Sequence, residues 1–116
     1  MLPSINPCGF VAFTLQCNII EIRRTNEFTA WVRGLSDEKA RAKVFARIDR
    51  LRAGNPGDVK PVGQGVSEMR IDHGPGYRVY FAQRGLVLVL LLCGGTKSTQ
   101  EDDIATAKAL AEQWKE

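Results

Sequence analysis

Residues 66–85, VSEMRIDHGPGYRVYFAQRG, constrain the fold more than any other stretch. Val66 to Asp72 alternates, with Glu68, Arg70 and Asp72 on one side and Met69 and Ile71 on the other. A turn follows at Gly74-Pro75-Gly76. Tyr77 to Ala82 then alternates again, with Arg78 and Tyr80 opposed to Tyr77, Val79 and Phe81. Residues two apart on a strand share a face, and β-branched and aromatic side chains suit a half-buried one. The stretch is therefore expected to be a β-hairpin. In register, its strands place Arg70, Arg78 and Tyr80 on one surface. Two guanidiniums and a phenol on a rigid sheet suit the gripping of a phosphate, because Arg presents a planar fork of donors and keeps its charge.

The flanking segments read in order. Residues 1–18 hold two prolines and no clear period, and are expected to be an extension outside the domain. Ile19 to Arg24 alternates as a first strand with Ile20 and Ile22 inward. Thr25 is placed to cap a short helix in which Phe28, Trp31, Val32 and Leu35 recur at helical spacing. Ser36 is expected to cap a second helix, with Ala40, Val44, Ile48 and Leu51 as its buried stripe and six cations over much of the rest. Asn55 to Gly65 reads as a loop by composition, with Lys60 its one cation. Leu86 to Leu92 is apolar throughout, as a mid-sheet strand buried on both faces requires. Gly94 to Gln100 is expected to lead into a last helix through a Ser98–Glu101 capping box, with Ile104, Ala107, Ala111 and Trp114 facing inward.

At 116 residues the chain has the length of one domain. Three cysteines without CxxC spacing suggest neither a disulfide framework nor a zinc site, and favour a reducing cytoplasm. The single histidine has no clustered ligands around it, so no metal or other cofactor is expected. No apolar run is long enough to span a bilayer, and the N-terminus lacks the basic region of a signal peptide. Charge is uneven: residues 19–84 carry thirteen Lys or Arg against eight Asp or Glu, and residues 97–116 three against five. A basic body with an acidic tail fits either a polyanionic partner or an ordinary solvated surface.

Three passages, IEIRRTNEF, SEMRIDHGPGYRVYF and LLLCGGTKSTQEDDI, together resemble the phage-derived addiction-module killer proteins, a HigB-like branch of the RelE/ParE toxin superfamily. The resemblance covers residues 19–116. It implies an α+β, RelE/ParE-like fold: a curved, mainly antiparallel sheet built from a strand, a helical hairpin, a three-stranded meander and a C-terminal helix, with the helices on one side. It further implies the toxin of a type II toxin–antitoxin system that enters the ribosomal A site and cuts mRNA without metal, the RNA's own 2′-OH attacking the adjacent phosphorus. The implied partners are the ribosome with its message and an adjacently encoded helix-turn-helix antitoxin, HigA-like, through which operator DNA would mainly be bound. Two alternatives stay open: a ParE-like toxin inhibiting DNA gyrase by protein contacts, and a non-catalytic operator-binding component. Fold alone does not separate them.

Matched by position, Arg78 corresponds to the superfamily's phosphate-binding arginine, Arg70 lies where relatives carry catalytic basic residues, and Lys97 where they place another cation. His73, at the rim of the turn, completes the candidate catalytic set. Tyr80, Gln100 and Lys60 are the candidate RNA contacts. Each has a plainer reading. Arg70 can pair with Glu68 or Asp72, Tyr80 can cover the sheet rather than stack on a base, Lys97 can be a loop cation, and His73 an exposed turn residue. The last helix departs from its relatives: it carries no tyrosine or histidine, and it starts on Glu101, Asp102 and Asp103.

Overall fold

The computed structural model describes residues 20–85 and 87–114, so the extension assigned to residues 1–18 lies outside the described residues. Their order is β1 (Glu21–Arg24), α1 (Asn26–Arg33), α2 (Glu38–Arg52), β2 (Val59–Gly63), β3 (Val66–Ile71), β4 (Tyr77–Arg84), β5 (Leu88–Thr96), a 3-10 turn (Lys97–Thr99) and α3 (Gln100–Gln113). The five strands form one sheet in the order β1-β5-β4-β3-β2. Strands β2 to β5 pair antiparallel in succession, and β1 pairs parallel with β5. The expected α+β class with a mainly antiparallel sheet holds.

Alternation divides the strands between two cores. Met69, Ile71, Val79, Phe81, Val89 and Leu91 pack with Phe28 and Val32 of α1 and with Val44, Ile48 and Leu51 of α2. Val66, Tyr80, Ala82, Leu90 and Leu92 pack with Ala107 and Ala111 of α3. Helices therefore cover both faces of the sheet, not one side as the resemblance implied. The physical reason is β5: Leu90 and Leu92 point opposite to Val89 and Leu91, so two apolar faces need cover.

Local signals fix the helix starts. Thr25 leaves β1 extended, accepts from Phe28 N–H at 3.0 Å and donates to the Leu92 carbonyl, tying α1 to mid-sheet. The cap of α2 is Asp37 rather than Ser36; its carboxylate takes the backbone N–H groups of Lys39 and Ala40 at 3.0 and 3.2 Å. A carboxylate serves better there because the helix dipole favours its charge.

Three expectations fail in an instructive way. The segment 55–65 contains β2, so the meander has four strands; its Pro61 is tolerated because β2 is the outer strand of the sheet. Gly94-Gly95-Thr96 belongs to β5 rather than to a linker. A Cβ built on Gly94 would fall inside the Trp31 indole on one face, and one on Gly95 would strike the Asp103 carboxylate of α3 on the other. The two glycines let α1 and α3 approach one strand from opposite sides. The Ser98–Glu101 capping box does not form; the turn closes instead with Thr96 N–H donating to Thr99 Oγ1 at 3.2 Å, and α3 begins at Gln100.

Candidate phosphate-binding site

Strand register assembles the site. Arg70 lies directly across from Arg78, and Arg78 across from Gly95. The next row is Lys60, Glu68, Tyr80 and Cys93. Both rows face α3, whose first turn reaches over the sheet: Gln100 Nε2 donates to Glu68 Oε2 at 2.7 Å, and Asp103 sits over Gly95.

Two guanidiniums facing each other across a ladder repel unless each has an anion of its own. Here each has one. Arg70 donates to Asp58 Oδ1 from Nη2 at 2.9 Å and from Nε at 3.3 Å, in the open. Its partner is thus neither Glu68 nor Asp72. Arg78 Nε lies 3.5 Å from Glu68 Oε2, with the Arg78 side chain 11% and the Glu68 side chain 1% exposed. Arg78 Nη1 also donates to the Gly76 carbonyl at 2.9 Å. Gly76, at φ +82°, is flanked by Arg78 Nη1 and by the Lys97 side chain, so these two cations border the same turn. Lys97 is exposed, Gln100 half-buried, and Lys60 exposed on the outer strand across from Glu68.

Two of the candidates stand elsewhere. Tyr80 is fully buried, and its hydroxyl donates to Glu68 Oε2 at 3.0 Å. The ring packs inside the α3-side core, so it offers no face to a base, and covering the sheet is what it does here. Burial and the neighbouring carboxylate push its phenol well above its usual range, which keeps it neutral and a donor. His73 turns toward the opposite face. Its Nε2 meets Asp37 Oδ2 at 3.0 Å, and its ring stacks on Tyr77, 6.3 Å between centroids. It joins the hairpin turn to the start of α2 and does not share the arginine face. Cys93 is buried, its thiol pushed up to about 12 by desolvation, as suits a packing residue.

The His73–Asp37 contact has its own pH signature. The His73 hydrogen bond, with the capping N–H groups of Ala40 and Lys39, holds the Asp37 carboxyl below its ordinary 3.8. A depressed carboxyl contributes stability above its unfolded value, and that contribution is lost as pH falls through the folded one. Asp37→Ala is therefore expected to lower the melting temperature at neutral pH. The deficit should shrink as the pH drops below 3.8, which thermal melts from pH 7 to 2.5 would record.

Sequence reading missed the central role of Glu68 and missed Asp58. Asp58 lies in a segment read as loop. Glu68 sits on a strand face that looked solvated, because Arg70 and Asp72 share its parity. The available signal was Tyr80 and Ala82 on that same face, together with the small-residue stripe of α3, which together require a second core.

The arrangement defines a small α+β protein, a sheet between two helical layers, with a cationic patch at the N-terminal end of its last helix. Residues 30–113 match the model of the phage-derived Gp49-like protein family. An uncharacterized protein of Haemophilus influenzae is 52% identical over 94 residues, covering 81% of this chain and 95% of that one. The chain belongs to the Gp49-like family, and every candidate side chain named above lies within the matched region. No helix among the described residues is long and apolar enough to cross a membrane.

Proposed function

We propose that this protein is the toxin of a type II toxin–antitoxin module and that it cuts mRNA on the ribosome. The observation that carries the reading is Arg78: a guanidinium nearly buried between Glu68 and the Gly76 carbonyl, bordered by Lys97 and faced by Arg70. A guanidinium fixed on a rigid sheet, with the side chains of Arg70 and Lys97 rooted beside it, suits a phosphorane, whose extra negative charge cations neutralise. In the reaction the message's 2′-OH gives its proton to water as its oxygen attacks the adjacent phosphorus, and the P–O5′ bond breaks. The products are a 2′,3′-cyclic phosphate and a 5′-hydroxyl that has taken up a proton. With Tyr80 held neutral and His73 on the other face, the protein's contribution is chiefly electrostatic and positional. The phage-derived family and the resemblance to addiction-module killers support the toxin role, with a helix-turn-helix antitoxin as the neutralising partner.

Inducing the chain alone is expected to stop incorporation of labelled amino acids and arrest growth, and co-expressing the antitoxin to restore both. Message isolated from ribosomes should carry cyclic or 3′-phosphate ends upstream and 5′-hydroxyl ends downstream, with little cleavage of naked RNA, since the net charge is only +3. A 5′-phosphate product would indicate a metal-activated water instead. Continued translation with collapsing DNA supercoiling would place the protein with gyrase inhibitors.

A further inference from the structure

Glu68 is the one fully buried charged residue among those described. An acid in such a place is costly unless paired and hydrogen-bonded, and an apolar side chain of similar size often serves stability as well or better. Its neighbours suggest what it does instead. Oε2 accepts from Tyr80 Oη at 3.0 Å and from Gln100 Nε2 at 2.7 Å, and lies 3.5 Å from Arg78 Nε. Oε1 and Arg78 Nε are both buried without a hydrogen-bond partner, so the acid holds Arg78 by charge and packing rather than by a closed fork. Tyr80 anchors the carboxylate from inside. Arg78 and Gln100 come from β4 and α3, and both reach the edge of the patch.

We infer that Glu68 is the positioning residue of the phosphate site, fixing the Arg78 guanidinium and the Gln100 amide at one spacing so that a single phosphate meets both. This inference rests on the nuclease reading. It assigns the two arginines different characters: Arg78 is held by a buried acid, whereas Arg70 is held by the exposed Asp58, which an incoming phosphate can displace. Glu68 touches no substrate and acts through Arg78 and Gln100.

The test uses the full chain on programmed ribosomes, with Glu68→Gln, Arg78→Ala and the double variant. Since a misplacement of about 1 Å can cost about 100-fold, Glu68→Gln is expected to lower kcat by about that factor with KM little changed. In the Arg78→Ala background the same substitution should cost clearly less, only the share carried by Gln100. Equal losses in both backgrounds would mean that Glu68 merely supports the fold, and wild-type cleavage by Glu68→Gln would equally overturn the inference. If Glu68→Gln does not fold, Glu68→Met replaces it; a melting temperature kept or raised together with a lost kcat supports positioning, and an undiminished kcat overturns it. A second readout separates this inference from the nuclease reading. Arginine Nε–H resonances should show Arg78 protected from water in the wild type and averaged with solvent in Glu68→Gln. A wild type that cleaves nothing defeats the nuclease reading, and an Arg78 resonance unaffected by Glu68→Gln defeats the positioning role.

Discussion

Arg78→Ala is expected to lower cleavage on the ribosome by about 100- to 1,000-fold while the protein stays folded, the usual cost of one preorganised donor to transition-state charge. Removing the cation leaves Glu68 a buried acid without its paired charge, so the melting temperature should fall, but its hydrogen bonds from Tyr80 and Gln100 remain to hold the fold. Arg70→Ala and Lys97→Ala should cost less. Arg70 shares its fork with Asp58, and Lys97 is an exposed chain whose ammonium must be ordered on binding. Arg78→Lys should rescue only in part, since an ammonium lacks the bidentate geometry. Arg50→Ala on α2 and His73→Ala on the far face are the comparators and should cleave nearly as the wild type does. Single-turnover cleavage of a defined message, with melting curves for each variant, checks the series. Full activity in a folded Arg78→Ala would show that the patch is not the site.

The hairpin was legible because it satisfies several constraints at once. Alternation, turn glycines and aromatic residues all specify the same register, and that register alone puts Arg70 opposite Arg78. The stripes of α1 and α2 were legible for a similar reason: Phe28 and Val32, and Ala40, Val44, Ile48 and Leu51, are buried as their spacing requires. Strand β2 was not, since Pro61 and Gly63 are turn formers everywhere except on an outer strand or at a bulge, and β2 has both settings.

The site was half legible. Which residues share a face follows from parity, but what covers that face is a tertiary fact. With α3 assigned to the same side as α1 and α2, the arginine face looked open and Tyr80 looked free to stack. Once α3 closes over Ala82, Leu90 and Leu92, Tyr80 and Glu68 become interior, and only the row beyond them stays near solvent. His73 shows the same limit. The sequence places it at the rim of the turn, but only Asp37, 36 positions away, decides which face it joins.

Gly94→Ala is expected to lower the melting temperature by about 5–20 °C, from an overpacking cost of about 1–3 kcal/mol and a shift of about 4–8 °C per kcal/mol in a domain of this size. The new methyl would lie well inside van der Waals contact of three carbons of the Trp31 indole, which is itself wedged against Phe28 and Tyr77 at centroid distances of 5.9 and 6.4 Å. No flexible chain end is there to move aside, so α1 has to lift from β5. Gly95→Ala meets a different obstacle, the end of the Asp103 side chain, which can swing away by giving up its hydrogen bond from Thr99. It should therefore cost less stability, but Gly95 is the register partner of Arg78, so more of its effect should fall on cleavage. The clash account of Gly94 is tested by a double-mutant cycle with Trp31→Ala. Removing the indole should make Gly94→Ala nearly neutral, so that the double variant melts close to Trp31→Ala alone. Additive losses would mean that Gly94 is required for the strand's own backbone and not for the approach of α1.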